Sequence, residues 1–156
     1  MQKTYKHLAI LVTASSIASS TYAASNTITA ESKELAYCEG VYLYVAQMLQ
    51  IQNNNGAALN VLSRASRVTT ANFFLNKQGD KIPGERIREI KLSRQGLKER
   101  LDSDPNLALT ETNNCDKTTP PIITQAAKQG GTLWGKTFVE LNQAMLEQYK
   151  KNLGIQ

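Results

Sequence analysis

Histidine is almost missing from this chain, and its one occurrence, His7, falls within the first 23 residues. That segment has the make-up of an export signal. Lys3 and Lys6 give a basic start, residues 8–17 an apolar stretch, and Thr21-Tyr22-Ala23 a cleavage site before Ala24. The protein expected after cleavage, residues 24–156, carries no imidazole. It therefore lacks the commonest general base near neutral pH and the commonest metal ligand. No catalytic set, metal site or cofactor is expected, and without a C-x-x-C-H motif or a histidine after the leader a c-type cytochrome bundle is excluded. Acid-pair hydrolysis, which needs no histidine, is the one enzymatic class left open.

Other scarcities narrow the reading further. No apolar run reaches the ~20 residues of a membrane-spanning helix, and no cysteine near the cleavage point offers a lipid anchor. A soluble periplasmic or secreted protein is expected. Lys3 and Lys6 account for two of the 18 basic residues, so cleavage leaves 16 basic against 13 acidic groups, a net charge of +3. So mild an excess, with aromatics at 6% of the chain, does not make the concentrated basic and stacking face that nucleic acid requires. Cysteine occurs twice, as Cys38 and Cys115. In an oxidising compartment the pair is expected to form one structural disulfide, since no C-x-x-C motif or histidine supports a reactive thiolate.

What remains is helical. The 133 residues after the leader suit one domain with one core. A first helix is predicted over 31–52, about 33 Å long, with Leu35, Cys38, Tyr42, Val45 and Leu49 beside Tyr37, Val41, Tyr44, Met48 and Ile51. Its broad apolar face marks it as central. Asn53-Asn54-Asn55-Gly56 ends it, and a second helix is expected over 57–75. Turn signals at Gly79-Asp80 and Pro83-Gly84 place a loop over 76–84, followed by a third helix over 85–102. There Arg94 occupies a position where the stripe expects an apolar residue. Asp104-Pro105 suits a short helical turn to Leu109, with irregular chain to Asp116. Thr119-Pro120-Pro121 suits the first turn of a fourth helix, broken by Gly130-Gly131, and a last helix runs to Leu153. The fold class is thus all-α, a small bundle of four main helices plus a short helix, stapled by one disulfide.

Candidate binding residues follow from chemistry. Arg64 and Arg67 lie one turn apart on the second helix, and Arg86 and Arg88 on the third. Guanidinium forks suit carboxylates or phosphates on an acidic partner. Tyr42, Tyr44 and Trp134 combine apolar rings with polar handles, as ligand pockets do, although core packing explains them equally. Glu31, Glu34 and Glu39 read as acids suiting the helix dipole. The functional expectation is an exported, non-enzymatic interaction protein of the immunity, inhibitor or envelope-adaptor kind, binding another envelope protein. The alternative is a carrier of a small apolar or amphipathic ligand between the first and last helices.

Overall fold

Thr29 starts the first helix: its hydroxyl accepts the Ser32 N–H at 3.2 Å, satisfying one of the free amides of the opening turn. The computed structural model describes residues 28–78, 81–130 and 134–155, and the expected leader, 1–23, lies outside the described residues. The described residues form α1 (Ala30–Ile51), α2 (Asn55–Asn76), α3 (Gly84–Leu92), α4 (Leu97–Ser103), α5 (Pro105–Gly130) and α6 (Trp134–Leu153). The only pairing of extended backbone among them is one antiparallel bridge, Gln78 to Lys81. The protein is an all-α bundle, and Cys38 and Cys115 are joined in a disulfide.

α1 is the central element, packing on α2, α5, α3 and α4, while α6 lies chiefly against α2. The predicted α1 stripe supplies Leu35, Cys38, Val41 and Tyr42 to the core, where they meet Leu62, Ala65 and Val68 of α2 and Leu101 of α4. Alanines at 58, 65 and 71 are fully buried along α2, so small side chains line the packed side of that helix. Between α1 and α2, Asn53 takes a left-handed φ of 59° and the Asn54 side chain caps the Ala57 amide. The asparagine run thus both ends one helix and begins the next. A polar cluster ties the start of α1 to the end of α2. Ser32 donates to Asn72 at 2.6 Å, and Asn76 Nδ2 donates to Ser32 Oγ and Asn72 Oδ1 at 2.7 Å, with all three side chains buried.

Two expected boundaries are corrected. The predicted third helix is two helices, α3 and α4, separated by a turn over 93–96 in which Gly96 adopts φ 73°. Glycine takes that conformation without the steric cost a side chain would incur. The turn lets Leu97 and Leu101 drop into the main core, whereas Ile90 of α3 joins a separate small cluster with Ile28 and Ala36. The second correction concerns residues 105–130, which form one continuous helix rather than a short turn, irregular chain and a new helix at Thr119. Pro120 and Pro121 sit inside α5 and are exposed. Each removes the amide that would meet the carbonyl four residues earlier, at Asp116 and Lys117. Because that stretch faces solvent, water can serve those carbonyls. Buried Cys115 and Thr119 before the prolines and Ala126 after them hold the helix on the core through the interruption.

Candidate functional site

The two charges that interrupt the apolar stripes meet each other. Arg94, in the turn before α4, places Nη1 3.1 Å from Glu39 Oε1 on α1. Tyr149 of α6 donates to the same carboxylate oxygen at 2.7 Å, and its hydroxyl lies 2.8 Å from Thr69 Oγ1 of α2. Glu39, which is only 7% exposed, thus ties α1 directly to α6 and to the turn before α4, and through Tyr149 to α2. Burial, followed by the Glu39 charge, pushes the Tyr149 phenol well above its ordinary range, although the Thr69 hydrogen bond opposes the shift. The tenth residue of a helix lies beyond the reach of its N-terminal dipole, so Glu39 is an internal ion-pair partner and not a dipole acid. Gly40 makes the close approach possible. A Cβ there would stand 2.7 Å from a Leu97 methyl and 3.2 Å from Arg94 Cδ.

Arg94 also separates two clefts. One, of about 280 Å³, lies between α2, α3 and α6, with Phe73, Ile82, Ile87, Ile90, Leu141 and Met145 as its apolar walls and Lys91 among its polar lining. The other, of about 330 Å³, lies between α1, α4 and α6 and is lined by Tyr44, Leu43, Leu97 and Leu153. Tyr44 is engaged there. Its hydroxyl donates to Asp102 at 2.9 Å, and Asp102 also pairs with Lys98. Those two hydrogen bonds, the lysine's first, hold the Asp102 carboxyl below the ordinary range.

A third, polar cleft of about 400 Å³ collects three of the predicted site residues, Tyr42, Arg64 and Arg67. Asp116 organises it. Its Oδ1 accepts from the Tyr42 hydroxyl at 2.9 Å, and its Oδ2 pairs with Arg64, which also donates to Asn60 at 3.2 Å. Burial is the main cause that raises the Tyr42 phenol above its ordinary range. Arg67 is exposed and makes no ion pair among the described residues. The disulfide fixes Cys115, the neighbour of Asp116, to α1, so the carboxylate that orders this cleft is anchored covalently.

The four predicted arginines are not brought together. Arg86 donates to the Asn76 carbonyl at 2.9 Å, at the end of α2 farthest from Arg64. Twelve helical residues separate positions 64 and 76, about 18 Å. Arg88 is exposed on α3, and the side chain of Trp134 lies outside the described residues. Glu39 and Asp116 were not among the predicted site residues. Glu39 is four residues from Leu35 and three from Tyr42, so the period that flagged Arg94 flags it too. Asp116 carried no such signal. Among the described residues, no group of three or more His, Cys, Asp or Glu side chains is placed to hold a metal ion. No described helix is long and apolar enough to cross a membrane. Comparison with family models, curated proteins and solved structures finds no match to this chain.

Proposed function

We propose that this is an exported, non-enzymatic interaction protein that presents the Tyr42–Arg64–Arg67 cleft to an acidic group of another envelope protein. The observation that carries the reading is the convergence of those three side chains on one open polar cleft whose carboxylate is anchored beside the disulfide. Asp116 is satisfied by Tyr42 and Arg64, which leaves Arg67 as the cation available to a carboxylate. The Tyr42 and Arg64 walls of the cleft, held by Asp116 before association, lose little freedom on binding. The disulfide and the lack of a spanning helix among the described residues suit a periplasmic or secreted protein.

The test follows from the different states of the arginines. Arg64 and Arg86 hold internal partners, so reversing them would also break those contacts and confound the readout, whereas Arg67 can be reversed without that loss. A partner is captured from envelope extract with the exported form and its association rate measured across a salt series. Exposed charges chiefly steer association. Arg67→Glu should lower the on-rate about tenfold at low salt and flatten its salt dependence, with the melting temperature unchanged. An on-rate equal to wild type at every salt concentration would place the interface elsewhere, and repeated failure to capture a partner would remove the proposal.

A further inference from the structure

The two clefts beside Arg94 differ in their cations and their walls. In the α1–α4–α6 cleft Lys98 is already neutralised by Asp102. In the α2–α3–α6 cleft Lys91 is exposed and makes no ion pair among the described residues. There the only carboxylate in the lining, Glu39, is occupied by Arg94 and Tyr149. Arg94 uses Nη1 for that pair, and a guanidinium has five N–H donors, so donors remain on a side chain that is 29% exposed. The lining is thus apolar on three helices and carries a net positive charge at one place, where Lys91 and Arg94 sit three residues apart.

We infer that this cleft binds a free amphiphile with a short alkyl chain and an anionic head, a fatty carboxylate. The chain lies between Phe73, Ile87 and Leu141, and the carboxylate is held by Lys91 and the outer donors of Arg94. The roughly 280 Å³ available is at the lower edge of small-molecule pockets, which selects a short chain. A cationic or neutral head forfeits the charge-assisted hydrogen bonds that the two basic groups offer. The site is independent of the polar cleft around Asp116, with which it shares no lining residue.

The experiment is an NMR titration of the exported protein with decanoate below its micelle concentration. The expected result is one saturable site, with shifts confined to α2, α3 and α6. Decyltrimethylammonium, with the same chain length and the opposite charge, binds at least tenfold more weakly. Lys91→Glu lowers decanoate affinity at least tenfold by reversing the head-group contact. Ile87→Trp does so by filling the mouth of the cleft. Both positions are exposed, so neither change threatens the fold. Absence of saturable shifts, equal affinity for the cationic amphiphile, or decanoate affinity unchanged in both variants overturns the proposal.

Discussion

Replacing Arg94 by methionine tests whether the Glu39 ion pair is an internal element of the bundle. Methionine keeps an unbranched side chain to pack against Gly40 and Leu97 while deleting the charge. At 3.1 Å and an effective dielectric constant of about 20, the gross attraction of the pair is about 5 kcal/mol. Desolvating the two ions takes back several kcal/mol, so the intact pair contributes little net stability. Removing one partner is different, because Glu39 is left buried with only the Tyr149 hydroxyl against it. That loss should be about 3 kcal/mol. In urea, with a slope of about 2 kcal/mol per molar, it lowers the unfolding midpoint by ~1.5 M. The decisive comparison is the double variant Glu39→Gln/Arg94→Met. A glutamine oxygen still accepts from Tyr149, and no charge is stranded, so the double variant should recover to within about 1 kcal/mol of wild type. Equilibrium urea unfolding followed by far-ultraviolet circular dichroism measures all three proteins. If the double variant is less stable than Arg94→Met alone, or if Arg94→Met costs under about 0.5 kcal/mol as an exposed pair would, the buried-pair argument fails.

Two further outcomes follow from the core. Deleting the cross-link with Cys38→Ala/Cys115→Ala opens a loop of 77 residues, which the chain-entropy account values at about 4.5 kcal/mol. At about 3–4 °C per kcal/mol the melting temperature should fall by ~10–20 °C by calorimetry, and a drop under about 5 °C would contradict that account. The Tyr42 and Tyr149 phenols, both raised chiefly by burial, give the alkaline limb. Above pH ~10 the unfolded chain sheds phenolic protons that the folded protein keeps. Their stabilisation is therefore complete below pH ~10 and is lost progressively as the pH rises through the raised folded values. Between pH ~9 and ~11.5 the melting temperature of wild type should fall more steeply than that of Tyr42→Phe/Tyr149→Phe, and parallel curves would refute the assignment.

The legible part of this fold is the part written in local pattern. The apolar period located α1, α2 and the core positions Leu35, Cys38, Tyr42, Leu62 and Val68, and two cysteines in a chain expected to be exported implied the Cys38–Cys115 pair. Arg94 was legible as a seam residue needing a partner, and the partner was Glu39. Illegible were the features where tertiary packing overrides local preference. Pro120 and Pro121 favour a helix start, yet Cys115 and Thr119 are held in the core ahead of them and carry the helix through. The break at Gly96 was hidden because the surrounding stripe reads as continuous helix, and only the packing of Leu97 and Leu101 shows why the chain must turn. Asp116 could not be found in advance, since its role comes from α1 and α2 meeting α5 seventy-four residues from Tyr42.

The position of the disulfide divides the bundle into two tiers of cooperativity. Its covalent loop runs from Cys38 to Cys115 and encloses the rest of α1, all of α2, α3 and α4, and the first part of α5. α6 lies outside it, and the chain-entropy benefit of the bond does not extend there. Release of α6 therefore needs only its own contacts to break, chiefly those with α2 and the Tyr149 link to Glu39. Amides of α6 should accordingly exchange with solvent through a lower-energy opening than those of α1 and α2, whose slowest amides report global unfolding. Because α6 forms a wall of both clefts beside Arg94, the least constrained helix is also the one whose motion changes their size.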